Sequence, residues 1–133
     1  MSQGSVPVSR LFLPAVFVLG FLVVGLPFWL IPYSSVTVPN SFFGLGAVTV
    51  FAMAAFLGFR VGFWKGLLVA GAVMPSVLMC RVVVEALIEP TRHNLWPLAL
   101  MIVVVMALAL AGIGALLGWV VAKVGFSSNK RAA

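Results

Sequence analysis

Apolar residues run along this chain in four long blocks, separated by short stretches where proline, serine, asparagine and charged side chains collect. A helix that crosses the hydrocarbon core of a bilayer needs about 20 mostly apolar residues. Four blocks reach that length: residues 11–32, 41–59, 66–88 and 97–122. Little chain is left over. The pattern predicts an all-α polytopic membrane protein, a four-transmembrane-helix bundle forming a single membrane domain over residues 1–133, with short tails at 1–10 and 123–133. The first block follows Arg10 as a secretory signal would, but its apolar run exceeds the roughly 7–15 residues of a signal core, and no small-x-small cleavage site follows it. It reads as an uncleaved span.

Proline and glycine refine the elements. Pro39, Asn40 and Ser41 supply a turn and capping side chains ahead of the second span, and Pro97 falls in the first turn of the fourth, where its missing N–H costs nothing. Pro14 is tolerable near the start of the first span. Pro27 and Pro75 are interior and are expected to bend their helices, with Ser76 able to help satisfy the backbone group freed at Pro75. Gly114 and Gly118, joined by Ala107, Ala111 and Ala122, mark a small-residue face on the fourth span where another helix can approach closely. That face serves either within the bundle, the favoured reading, or against another subunit. Gly58, Gly62 and Gly66 share the spacing but straddle a turn, and so predict a tight hairpin.

Composition agrees with this solvent assignment. The chain is 64% hydrophobic and 8% charged, where a soluble domain carries about a quarter charged residues. In lipid, apolar side chains face outward freely and only the backbone must be satisfied internally. The net charge of +6 would suggest nucleic acid in a soluble protein, but no nucleic-acid partner is expected here, because the basic residues flank the apolar blocks. Arg10 precedes the first, Arg60 and Lys65 lie between the second and third, and Lys123, Lys130 and Arg131 follow the fourth, while residues 33–40 carry no charge. The positive-inside rule then puts both termini in the cytoplasm, N-in and C-in. Trp29 and Trp96 fall at the outer ends of their spans, and Trp64 and Trp119 at inner ends, as interfacial anchors. The partner is the lipid bilayer, with other membrane subunits or a homo-oligomer as further possibilities, and the expected location is a bacterial inner (plasma) membrane. Cys80 is a lone thiol inside an apolar run and reads as a small core residue.

One stretch stands apart. Charges inside a span cost about 2.5–3.5 kcal/mol on insertion scales, and so are functional candidates by default. Arg81 and Glu85 lie toward the outer end of the third span, four residues apart and on one helix face. Glu89 continues that side, and Arg92, His93 and Asn94 follow in the outer link. Two readings compete for the six. In the first, Arg81 and Glu85 form an ion pair held by tertiary contacts and the rest are hydrated. In the second, the cluster binds an anion, a lipid headgroup or a partner, with Arg81 as a bidentate donor and His93 titrating in the physiological range.

Other chemistry is thin. One histidine, one cysteine and two glutamates make no metal set, no cofactor motif is present, and neither a nucleophile elbow, a phosphate loop nor a Cys-x-x-Cys pair occurs. The expectation is a protein that is more readily non-enzymatic, an accessory or small subunit of a membrane complex. The alternative is a homo-oligomeric small transporter or channel for an ion or small anionic solute, using the Arg81 and Glu85 cluster.

Overall fold

The computed structural model describes residues 10–32, 44–89 and 95–131, excluding the side chains of residues 126–131. Every regular element among them is a helix: α1 (Phe12–Leu30), α2 (Leu45–Val61), α3 (Phe63–Gly71), α4 (Val73–Ile88) and α5 (Trp96–Arg131). Three stretches are long and apolar enough to cross a membrane, namely α1, the α3–α4 run Phe63–Ile88 and Trp96–Gly125 within α5. The 17-residue α2 is shorter, reaching about 26 Å at 1.5 Å per residue. The predicted start of the second span and its capping residues, 39–43, lie outside the described residues.

The third predicted span is one apolar stretch broken at Ala72. Pro75 has no N–H to give the Gly71 carbonyl, and its ring crowds that carbonyl. The helix accordingly breaks at Ala72, between Gly71 and Val73. The ladder resumes at once, with the Ala72 N–H donating to Leu68 O and the Ser76 N–H to Ala72 O, both at 3.1 Å. Pro27, by contrast, is carried within α1 without a break. Helix α5 runs past Ala122, where the fourth span was predicted to end, as far as Arg131. Its 36 residues reach about 54 Å, well beyond a hydrocarbon core of about 30 Å.

Close contacts define the chain path. Phe12 meets Phe56, with ring centroids 6.3 Å apart, so the start of α1 lies beside the end of α2. Gly25 faces Val77 and Gly20 faces Val73, so α1 runs alongside α3–α4 in the same direction. Gly114 faces Ala54 and Gly118 faces Ala55, so α2 and α5 run together. The start of α1, the α2–α3 turn and the later part of α5 therefore share one end of the bundle, here termed the hairpin end. The ends of α1 and α4 and the start of α5 share the other.

Packing is tightest where side chains are smallest. Lipid tails are as apolar as leucine, so helix association in a membrane draws on close contact rather than on water release. Along α5 the fully buried residues Val103, Ala107, Ala111 and Ala115 recur every four positions, forming one ridge. Opposite them on α2 lie Val50, Ala54 and Leu57, also fully buried. Gly58 sits where three helices meet: a methyl added there would lie 2.8 Å from the Ala115 Cα, and one added at Gly66 of α3 would lie 2.8 Å from the Gly58 nitrogen. The turn joining α2 to α3 needs Gly62, whose φ of +100° belongs to a region open essentially to glycine alone. Outside this core, Leu19, Leu26, Leu68, Val105 and Val121 are exposed, an apolar exterior suited to lipid.

Candidate functional site

Beyond the break at Ala72, α4 presents Met74, Val77, Leu78 and Arg81 to the interior. These positions fall three and four apart and so share one helix face. Arg81 is the buried charged residue of the core, at 6% exposure. Its guanidinium is aimed at the end of α1. Nη2 donates to Ile31 O at 2.7 Å, Nη1 donates to Phe28 O, and Nε donates to Glu85 Oε1 at 2.7 Å. The cation also lies 4.8 Å from the centre of the Phe28 ring, within range of an attractive cation–π contact.

The acceptors follow from the local sequence of α1. In a continuing helix the carbonyl of Phe28 would accept from residue 32. Residue 32 is proline and has no N–H. Proline also biases the residue before it toward extended backbone, and Ile31 has φ −77° and ψ 125°. Helix α1 thus ends with carbonyls that lack the donors of a continuing helix, and unsatisfied polar groups in lipid cost several kcal/mol. Arg81 supplies the donors from a helix 50 or so residues away, and its positive charge suits the negative end of the α1 dipole. A guanidinium fork does this; a single ammonium would not reach both carbonyls and the carboxylate.

Glu85 completes the arrangement one turn along. Its side chain is 23% exposed, at the border between core and surface. Glu89, the residue that closes α4, is exposed, and its N–H donates to Glu85 O at 2.8 Å. Arg92, His93 and Asn94 lie outside the described residues. The structure therefore brings together Arg81, Glu85 and the end of α1, with Glu89 on the following turn. Trp29 and Trp96 lie at this same end, both partly exposed at 43% and 39%. Trp64 and Trp119 lie at the hairpin end, where the Lys123 ammonium sits 4.0 Å from the centre of the Trp119 ring.

Gly114 and Gly118 face the α2 backbone rather than the exterior. A methyl on Gly114 would lie 2.5 Å from Phe51 O, and one on Gly118 would lie 2.8 Å from the Ala55 carbonyl carbon. Among the described residues, no three His, Cys, Asp or Glu side chains gather as a metal site. Open grooves indent the bundle among the described residues. One, of about 400 Å³, lies between α1 and α2 and is walled by Val16, Gly20, Thr49, Met53 and Phe56. Another, of about 530 Å³, lies at the hairpin end. Neither is lined by Arg81 or Glu85.

Sequence reasoning paired Arg81 with Glu85 but missed the end of α1 as the third partner. The signal was present in Pro32, which removes the N–H that a continuing helix would offer the Phe28 carbonyl. No protein-family model, no curated protein and no solved structure matches this chain.

Proposed function

We propose that this chain is a four-span protein of a bacterial inner membrane, with both termini cytoplasmic, that serves as an accessory or small subunit of a membrane complex. The observation that carries this reading is the direction of Arg81. The buried charge of the core is turned onto the end of α1 and Glu85, and the rest of the core cluster is apolar. An interior built this way favours a rigid body that acts through its surface. The basic residues at the hairpin end support the orientation, since cytoplasmic loops carry the excess of Lys and Arg.

Three measurements test this. A reporter fused after Arg131 should read cytoplasmic, and a thiol introduced by His93→Cys in a Cys80→Ala background, which removes the exposed native thiol, should be labelled from outside. Gentle extraction should yield a stoichiometric complex with one other membrane protein; a homogeneous monomer under the same conditions argues against the subunit reading. The transporter reading draws on the same Arg81 and Glu85 pair. It is supported less, because the guanidinium already serves acceptors of the fold. Proteoliposome flux abolished by Glu85→Gln in a folded protein would reverse that ranking.

A further inference from the structure

The groove at the hairpin end is lined by Val61, Gly62, Phe63, Trp64, Lys65, Leu116 and Trp119. From these residues we infer a binding site for one anionic phospholipid, with its phosphate at Lys65 and its upper acyl chain between Trp64 and Trp119. The inference rests on the reading that this end lies at a membrane surface.

Three features point to that occupant. The first is charge. Lys65 is exposed on the groove, Lys123 stacks on Trp119, and Arg60 precedes Val61. The chain's two carboxylate side chains, Glu85 and Glu89, belong to the opposite end. Nothing acidic in the sequence near this turn competes for the bases. The second is the start of α3. Its cap residue is Gly62, which has no side chain with which to cap the first turn, and the positive end of a helix favours an anion nearby. The third is the wall itself. Apart from Lys65 it is apolar and aromatic, which suits glycerol and methylene groups and not a free inorganic anion. Trp64 is 70% exposed, as a ring lying along a lipid would be. Basic pockets between helices on the cytoplasmic face recognise lipid headgroups in this way. A zwitterionic lipid would bring its own ammonium group beside Lys65 and be disfavoured.

The test uses the full chain in phosphatidylcholine nanodiscs, with a Trp29→Phe/Trp96→Phe background so that Trp64 and Trp119 alone report. Brominated phosphatidylglycerol should quench their fluorescence with an association constant about fivefold above that of brominated phosphatidylcholine, the expected contribution of one basic side chain. Lys65→Gln should bring the ratio close to unity, and Lys65→Arg should retain it. Equal quenching by the two lipids overturns the site. So does a preference that survives Lys65→Gln, or one seen equally by Trp29 and Trp96 in the reciprocal Trp64→Phe/Trp119→Phe background, because either means diffuse attraction without a groove. Native mass spectrometry of the wild-type chain gives a readout free of tryptophan substitutions: one phosphatidylglycerol should be retained, and lost in Lys65→Gln. The reporter after Arg131 is independent, so a failed lipid preference with a cytoplasmic reading removes this site alone.

Discussion

Replacing Gly118 by alanine adds one methyl group, and the structure determines where it must go. The added carbon would lie 2.8 Å from the Ala55 carbonyl carbon and 2.9 Å from the Phe59 nitrogen, with the Ala55 oxygen closer still. Ordinary contact begins near 3.4 Å. All three obstacles are backbone, so no rotamer change relieves them and α2 and α5 must separate by about 1 Å or more. A gap of about 0.5–1 Å already forfeits a quarter to a half of the dispersion energy of each contact it opens. The contacts at risk are those of the Ala107, Ala111 and Ala115 ridge against α2. Overpacking of this kind costs about 1–3 kcal/mol, and the upper part of that range is expected because the obstacle cannot move aside. Gly112→Ala is the matched control, since its new methyl would meet only the Leu67 Cδ1 at 3.9 Å. That change should be neutral or stabilising by up to about 1 kcal/mol, the ordinary gain of alanine over glycine in a helix. The two variants share one chemical change on one helix and should shift in opposite senses in a reversible denaturation series in mixed micelles, followed by tryptophan fluorescence. Gly118→Ala unfolding at or above the wild-type denaturant fraction would refute the α2–α5 contact.

Arg81→Met should cost about 3–5 kcal/mol by stranding Glu85 and the α1 carbonyls, and the same unfolding series measures it. Pro32→Ala restores an N–H opposite the Phe28 carbonyl, so in that background the Arg81→Met penalty should shrink by about 1 kcal/mol; strict additivity of the two changes would show that Arg81 does not satisfy that carbonyl. Gly62→Ala meets no atom within 4 Å, yet should cost about 1–3 kcal/mol through backbone strain alone, seen as a lowered midpoint with unchanged packing elsewhere. A midpoint equal to wild type would mean that the α2–α3 turn does not hold its φ of +100°.

The legible and illegible parts of this fold separate by range. Hydropathy anticipated an all-helical chain with long apolar helices, because the apolar blocks are bounded by local punctuation. The bend in the third span was visible at Pro75, though the break falls at Ala72, since proline disrupts the carbonyl four residues before it and not its own position. The extension of α5 to Arg131 was not visible. Lys123 and the serines after it ended the apolar run but do not end a helix, and hydropathy reports burial in lipid rather than backbone conformation. The small-residue face was legible as a surface for close approach. Its partner was not, because Gly118 carries no mark distinguishing the backbone of α2 from that of a second chain.

Arg81 shows why a charge within a span is ambiguous from sequence alone. The cost of placing it there is a statement about an isolated helix in hydrocarbon. Helix α1, taken alone, carries a cost of its own, because Pro32 removes the helical donor to the Phe28 carbonyl. The two costs are complementary: a surplus of donors on α4 meets a surplus of acceptors on α1, and each offsets the other only when the two helices are docked in one register. That coupling makes the pair a source of specificity for the arrangement of α1 against α4, where apolar contacts such as Gly25 with Val77 would tolerate sliding. It also separates the two roles open to the cluster. A guanidinium has five N–H donors, of which Nε, Nη1 and Nη2 here each commit one within the fold, so an anion that takes over the contacts now made to Phe28 O and Ile31 O must displace the end of α1. Anion binding in that mode would be linked to movement of the α1 end and would alter the environment of Trp29, which lies beside Phe28.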